Sequence, residues 1–501
     1  MINYASNITN SEYQNDIIIK LFLTNVLEKP NNNAVYIDEQ YYTYQELFNV
    51  VHAIYSILPV DTHPNHIGVY CNNDIYTYAS ILAIKLFGAA YIPLNSSFPV
   101  ERNKNIIRQC TPSFLLSSLN NEETTAFSFL LDVINTKEVA IKKVNYDKTF
   151  RYAQSNQHLS YILFTSGTTG EPKGVPVSKA NTNSFFNHML ATYAFNGSDR
   201  FLQVFDLTFD VSVFSFFTPL LCGGCCYVLP SDGVKYLKIL ECLQKFEITV
   251  VAMVPTLLTY IKQYLSQIQL PHLRYSIFAG DVLYNNLAML WQLSVPNAKV
   301  FNMYGPTECT IVCSSYTVNE NDRLPNESIK PLPIGKLFDK HDFLIIDNDD
   351  KRCEKGELCI AGCQVIDGYI NNENSEKFLV EGDKKYYKTG DLVSLNLEGD
   401  LVFHGRVDSQ VKINGYRVEL MEIEKAIITL TKCNCVVVHS LNHTNLGQLV
   451  AYIETNGINE EKLKGDLRSL LPIYMIPNAY IAIEKFKLNA NGKIDKNFLK
   501  H

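Results

Sequence analysis

The sequence predicts an α/β layered fold that ends in a separate, smaller α+β domain. Two observations carry that prediction. Apolar β-type runs alternate with helical patterns for about 400 residues. From about Gln410 the pattern changes to short strands mixed with amphipathic helices. The size and composition allow it: 501 residues suggest two to four domains, and 47% hydrophobic against 19% charged residues can fill large cores.

The elements justify themselves in order. Tyr161-Ile-Leu-Phe164 is an apolar run that reads as a buried strand. Thr249-Val-Val-Ala-Met-Val254 is a second, followed after Pro255 by a helical pattern through Leu257, Leu258, Ile261 and Leu265. Ser276-Ile-Phe-Ala279 repeats the theme, with Leu283, Leu287, Leu290 and Leu293 marking the next helix. Lys299-Val-Phe-Asn-Met303 is a further strand. Residues 341–347 and 356–360 look like strands of a smaller sheet, punctuated by the Asp347-Asn-Asp-Asp350 turn. Residues 434–439 and 449–453 read as strands of the last domain, and residues 420–430 and 460–471 as its helices. There is no internal repeat or low-complexity tract.

Bulk properties narrow the function. A net charge of −7 argues against a general nucleic-acid binder, while leaving room for a local basic site. The N-terminal Met-Ile-Asn-Tyr-Ala-Ser-Asn lacks the basic and apolar regions of a signal peptide, and no run of about 18 apolar residues occurs. The expectation is a cytoplasmic chain with no membrane partner. Cys222-Gly-Gly-Cys225-Cys226 has to be weighed as a metal site. Cys359 and Cys363 lie far off and Cys433-Asn-Cys435 sits on another segment, so small buried thiols beside a glycine turn are expected instead.

The most informative stretch follows the first strand: Thr165-Ser-Gly-Thr-Thr-Gly-Glu-Pro-Lys-Gly174. Glycines let backbone N–H groups approach a phosphate, hydroxyls donate further hydrogen bonds, and lysine adds charge. It is not a Walker A loop, because Pro172 stands where the second glycine of that motif belongs. An ordinary turn between strands has the same composition. Phe301-Asn-Met-Tyr-Gly-Pro-Thr-Glu308 ends a strand in a tight turn. It presents Tyr304, Thr307 and Glu308 at the strand's C-terminal edge, where open α/β sheets bind ligands. An aromatic there can stack on a base and a carboxylate can hold Mg²⁺. A surface hairpin turn is the alternative.

Three further motifs settle the comparison: Tyr387-Lys-Thr-Gly-Asp391-Leu, the stretch from Gly405-Arg-Val-Asp-Ser-Gln-Val-Lys-Ile-Asn-Gly-Tyr-Arg-Val-Glu to Glu424, and Asn491-Gly-Lys-Ile-Asp495. In this order and spacing the chain resembles the adenylate-forming superfamily. More closely, it resembles the amino-acid adenylation domains of nonribosomal peptide synthesis and the stand-alone D-alanine–carrier protein ligases. The resemblance runs from Tyr42-Thr-Tyr-Gln-Glu-Leu47, through Phe87-Gly-Ala-Ala-Tyr-Ile-Pro93, to Lys493, nearly the whole chain.

That resemblance implies an acyl-CoA synthetase-like fold. A large multi-subdomain adenylation domain would cover 1–407, and a small mobile α+β lid 408–501, with Asp408 as the hinge. It implies a site for ATP and Mg²⁺. Thr165, Ser166, Gly167, Thr168, Thr169 and Lys173 would cradle the phosphates, and Tyr304 would stack on adenine, with Asn302 near its edge. Gly280, Asp281, Met303, Gly305, Pro306 and Thr307 belong to the same implied ATP site. Asp391 would hold both ribose hydroxyls with Arg406 beside it, and Glu308 would bind the metal. Lys493 would be the catalytic lysine, an ammonium placed between two anions that repel as they approach. The resemblance implies two half-reactions, formation of an acyl-adenylate from ATP and then attack on it by a thiol, and in the second Lys412 and Gly415 would face the thiol channel.

The carboxylate to be activated is read from Phe209-Asp-Val-Ser212. Asp210 lies in an otherwise apolar stretch, where an unpaired carboxylate is costly or takes up a proton. A substrate α-ammonium resolves that cost; an Asp that caps a helix is the alternative. By resemblance the pocket is Asp210, Val211, Phe214, Ala252, Ile277, Ala279, Met303, Ile311, Val312 and Lys493. All but the two charged anchors are apolar, and Phe214 and Met303 fill volume. The expectation is a small or medium apolar amino acid of the alanine, proline or valine type.

No carrier segment follows Lys493 and nothing precedes residue 1 that could be a condensation domain, so a separate phosphopantetheinylated carrier protein is the expected acceptor. The rivals are an acyl-CoA synthetase for a non-amino carboxylate, and an adenylate-binding scaffold without activity. The chain departs from the usual pattern at Asn95, where aspartate is common, at Lys179-Ala180, where a histidine is usual, and at Gly362-Cys-Gln-Val, which lacks a second glycine. These departures are expected to tune activity and not to abolish it.

Overall fold

The computed structural model describes residues 16–59, 64–146, 158–167, 171–323, 329–370, 375–413, 415–441, 447–487 and Leu499. Lys493, Thr168 and Thr169 fall outside them.

A nine-stranded sheet carries most of the site. Its central strands run parallel in the spatial order Lys299–Tyr304, Tyr275–Phe278, Val250–Met253, Arg200–Gln203, Cys225–Val228 and Asn33–Ile37. The apolar runs read from sequence are these strands, buried on both faces as a parallel sheet requires. The antiparallel strands Ser314–Thr317 and Lys336–Leu337 close one edge, and Gln40–Thr43 closes the other.

A six-stranded sheet of the same construction lies beside it, ending in Leu159–Thr165 and the antiparallel Lys173–Ser178. The turn between those two strands is the glycine-rich stretch. Helices fill the space between the sheets, and one apolar core runs through both. The helix Ile75–Phe87 is buried almost all round and stops at Gly88, whose φ of 87° only glycine adopts without strain. The helix Lys179–Thr192 begins at a capping box formed by Ser178 and Asn181.

A five-stranded sheet follows, ending in Lys384–Leu395 and Leu401–Arg406. Beyond it lie the hairpin Gln410–Ile413/Tyr416–Glu419 and a three-stranded sheet of Cys435–Leu441, Gly447–Glu454 and Ala479–Ile483. The helices Leu420–Thr431 and Glu460–Arg468 pack on these strands around a core of their own.

Two helices differ from their sequence reading. The pattern through Leu265 is α-helical only over Thr256–Ile261 and tightens to a 3₁₀ helix over Lys262–Gln267. In Asn285–Ser294 the leucines flank the core face, with Leu287 and Leu290 half-buried against the core. Leu283 is buried but precedes the helix, and Leu293 is exposed. The buried face is Asn285, Ala288, Trp291 and Ser294. Trp291 has the largest apolar surface to hide, and its indole N–H finds a partner in Ser276 Oγ at 2.8 Å.

Candidate active site

The parallel strands deliver their C-terminal ends to one crevice, as the topology of open α/β sheets dictates. Ala279, Gly280 and Asp281 follow Tyr275–Phe278, and Tyr304 to Thr307 follow Lys299–Tyr304. Asp210 sits just before the helix Val211–Cys222, which is buried throughout. One cavity of about 50 Å³ is bounded by Phe209, Asp210, Val211, Ala279, Gly280, Tyr304, Gly305, Pro306, Thr307 and Ile311 from the large domain. Asp391, Arg406, Gln410, Val411, Lys412, Gly415 and Arg417 close it from the other side. Gly305 is required by close approach: a Cβ there would lie 2.5 Å from Val312 Cα.

Asp210 is 6% exposed. It does not cap its helix. Instead the Thr307 hydroxyl donates to its Oδ2 at 2.7 Å. Burial pushes its carboxyl up to about 6, against the Thr307 hydroxyl, the Val211 backbone N–H and the Lys412 charge, which lower it.

Asp391 faces Arg406 across a strand pair, and the two form an ion pair. The Tyr304 hydroxyl donates to the other Asp391 oxygen at 2.6 Å. Burial, and then the Asp391 charge, raise the Tyr304 hydroxyl well above its ordinary value. Arg406 also grips Asp408 through two hydrogen bonds of 2.7 and 2.8 Å. Lys412 lies 6.0 Å from the centre of the Tyr304 ring, and burial draws its ammonium down.

The other expected residues are placed around this cavity. Phe214, Ala252, Ile277, Met303 and Val312 do not border it; they form the packed apolar floor together with Val211, Ala279 and Ile311. Asn302 is turned away, its amide donating to Pro333 O at 2.8 Å. Asp281 borders a neighbouring cavity of about 400 Å³ that also contains Asp391, Arg406 and Lys412. In the glycine-rich turn, Ser166 Oγ donates to Arg417 O at 2.8 Å, and Lys173 is buried. A Cβ on Gly167 would lie 2.0 Å from Glu171 O, so only glycine fits there.

Glu308 is fully buried. Arg417 Nη1 lies 3.0 and 2.9 Å from its two oxygens, and the Tyr369 hydroxyl donates to it at 2.6 Å. Burial alone would raise this carboxyl, but Arg417 and Tyr369 outweigh it and hold it below its ordinary value. Mg²⁺ takes one or two carboxylates and completes its shell with phosphates and water, so a dense ligand cluster is not needed. Among the described residues no group of three or more His, Cys, Asp or Glu side chains could hold a metal. Arg417 and Tyr369 leave Glu308 one open acceptor direction, on Oε2, so it could serve as one carboxylate of such a site, with the Arg417 charge opposing the cation in this arrangement of the chain.

Sequence reasoning passed over Arg417. It stands inside a quoted motif, but no spacing rule pairs residues 109 apart. The departures have local reasons. Asn95 donates to the Asp206 carboxylate, where an aspartate would meet a like charge. Lys179 donates to Gly88 O at 2.8 Å, and burial with the nearby Lys85 charge draws it down to about 8. The thiols Cys222 and Cys225 are buried and pushed up to about 12, which makes them poor nucleophiles.

A second, apolar cavity of about 330 Å³ adjoins the first and shares Phe209 with it. Its wall includes Val254, Tyr260, Tyr416 and Tyr474. Gly415, at φ 84°, separates the two, and a Cβ there would lie 2.3 Å from Val254 Cγ1. The small domain is held in this pose by a buried ion pair of 2.5 Å between Arg102 and Glu422.

Comparison with known proteins agrees with this construction. The family model described as AMP-binding enzyme matches residues 22–370. The D-alanine–D-alanyl carrier protein ligase of Lactococcus lactis subsp. lactis strain IL1403 is 33% identical over 92% of this chain and 94% of that protein. Malpibaldin synthetase of Mortierella alpina is 32% identical over 98% of this chain, which spans 9% of that much longer protein. The crystal structure of the Vibrio cholerae adenylation domain AlmE in complex with glycyl-adenosine-5'-phosphate superposes with a TM-score of 0.84 at 26% identity, covering 99% of this chain and 98% of that one. The strand-end crevice, the motifs around it and these likenesses place the chain in the AMP-binding enzyme family, as an adenylate-forming ligase that draws on ATP.

Proposed function

We propose that the chain activates a small or medium apolar amino acid, of the alanine, proline or valine type, and passes it to the phosphopantetheine thiol of a separate carrier protein. The observation that carries this reading is Asp210. It is a buried carboxylate at about 6, with only neutral donors, the Thr307 hydroxyl and the Val211 backbone N–H, and an apolar floor beneath it. A substrate ammonium would supply the missing counter-charge; a fatty or aryl acid would leave the penalty standing. The small cavity, and the D-alanine and glycine in the names of two similar proteins, favour a short side chain.

In the first half-reaction the amino-acid carboxylate oxygen bonds to the α-phosphorus of ATP, and the bond to pyrophosphate breaks. Asp210 would anchor the amine, with Tyr304, Asp391 and Arg406 at the nucleoside and the Thr165–Lys173 turn at the phosphates. Lys493 would offset the repulsion between the two anions. Mg²⁺ would neutralise phosphate charge, with Glu308 its carboxylate once Arg417 withdraws. In the second half-reaction a thiolate bonds to the acyl carbon and AMP leaves with the electron pair of the broken bond. The apolar cavity at Phe209 and Tyr416 would admit the pantetheine arm, and Asp408 would be the hinge between 1–407 and 408–501. All thirteen cysteines are free, which suits a reducing cytoplasm. No helix among the described residues is long and apolar enough to cross a membrane.

The test is amino-acid-dependent ATP–pyrophosphate exchange across the proteinogenic amino acids and D-alanine, followed by loading of a holo-carrier in trans. Exchange with a small apolar amino acid is expected. Exchange only with non-amino acids would favour an acyl-CoA synthetase, and exchange with nothing a scaffold. Thioester formation with free coenzyme A alone would remove the carrier.

A further inference from the structure

We propose that Gln364 is a positioning residue that sets the shape of the amino-acid pocket from behind. The proposal rests on the reading of Asp210 and Ile311 as that pocket. Two consecutive β-branched residues, Thr310 at φ 57° and Ile311 at φ 73°, adopt the left-handed backbone that such side chains avoid. The turn gives Ile311 its place in the cavity wall beside Asp210. It also leaves its carbonyls without regular strand partners, and buried carbonyls need donors.

Gln364 supplies them. It is fully buried, and its Nε2 lies 3.2 Å from Cys309 O, 3.2 Å from Thr310 O and 2.9 Å from Val312 O. The contact is returned: the Thr310 hydroxyl donates to Gln364 O at 2.6 Å. Three converging carbonyls fix the amide orientation, since only the NH₂ end can face them. The clamp is itself anchored. Asn181 Nδ2 donates to Cys363 O at 2.9 Å and to Val365 O at 3.2 Å, so the segment is tied to the helix Lys179–Thr192. Ile366 N donates to Glu308 O at 3.0 Å, which ties the same segment to the start of the turn. Gln364 therefore does locally what the missing second glycine of Gly362-Cys-Gln-Val could not: it gives an otherwise strained turn its hydrogen-bond partners.

The experiment compares the wild type with Gln364→Met, which keeps the volume and removes both donors. It reads exchange kinetics for amino acid and ATP separately, with the thermal midpoint. The expected result is an amino-acid KM raised about tenfold or more, from a displaced Ile311, and weaker rejection of the next larger side chain, with the ATP KM within about twofold. Gln364→Asn guards against simple misfolding. It keeps the amide donors on a shorter stem, so it is expected to retain more of the thermal midpoint and of the amino-acid KM than Gln364→Met. Unchanged kinetics, an equal rise in both KM values, or no difference between the two variants would overturn the positioning role. Absence of exchange in the wild type itself would instead overturn the functional reading, and the inference with it.

Discussion

Arg417 places one guanidinium nitrogen between the two carboxylate oxygens of Glu308, at 2.9 and 3.0 Å, and so joins the small-domain hairpin to the strand-end turn of the large domain. A carboxylate held this way already has a buried guanidinium as its counter-charge, and that charge repels a second cation. The pose of the hairpin and a cation on Glu308 therefore compete with one another. If this pose serves the thiol step, Arg417→Met should reduce carrier loading about a hundredfold or more, because a buried pair broken on one side is worth about 3–5 kcal/mol. Pyrophosphate exchange should stay within several-fold and saturate at lower Mg²⁺. Measuring the half-reactions separately checks this; equal loss of both counts against it.

Asp210 gives a pH dependence with a definite sign. Its folded value of about 6 lies above its ordinary 3.8. Amino-acid affinity needs the ionised form, so it should fall about tenfold per pH unit below about 6 and level off above. Isothermal titration with a non-reactive aminoacyl-adenylate analogue, from pH 5 to 8, measures that.

The same shift predicts a stability effect of the opposite kind. Between 3.8 and about 6 the folded chain holds the proton more tightly than the unfolded chain. The penalty of burying the charge is thus absent at low pH and complete above about 6, where it amounts to about 3 kcal/mol. Asp210→Asn should make the ligand-free protein more stable at pH 8, with a smaller gain at pH 5, while losing amino-acid-dependent exchange. Thermal unfolding at the two pH values, beside the exchange assay, decides it.

Lys493→Ala should lower exchange by about two to three orders of magnitude with an unaltered circular dichroism spectrum and thermal midpoint. Near-normal adenylation by the variant would refute the assignment.

Phe214 lies in the apolar floor at 3% exposure. Phe214→Ala should open that floor and shift selectivity toward larger apolar side chains. It should also cost about 3–5 kcal/mol of stability. An exchange panel and urea unfolding read the two effects, and an unchanged substrate order would place Phe214 outside the pocket's influence.

Much of this was legible in the chain. The apolar runs at 161–164, 249–254, 276–279 and 299–303 became buried strands because only a parallel sheet covered on both faces accommodates such runs. Asp210 stood out as a charge in an apolar stretch. The leucine pattern located the Asn285–Ser294 helix, but the most deeply buried side is that of the one tryptophan, since burial follows the larger apolar surface and its single N–H. Gln364 was noticed as a missing glycine and not as a donor, since its three acceptors lie more than fifty residues away in sequence.

By itself the sequence determined the local chemistry: which residues form strands, where glycine permits a tight turn, and which charge lacks a neighbour. Those properties depend on a residue and its near neighbours. The tertiary structure alone decided which charges meet. It set Arg417 on Glu308, Arg406 and the Tyr304 hydroxyl on Asp391, and Thr307 on Asp210. Pairing energies depend on distance and burial through space, and no spacing along the chain encodes them.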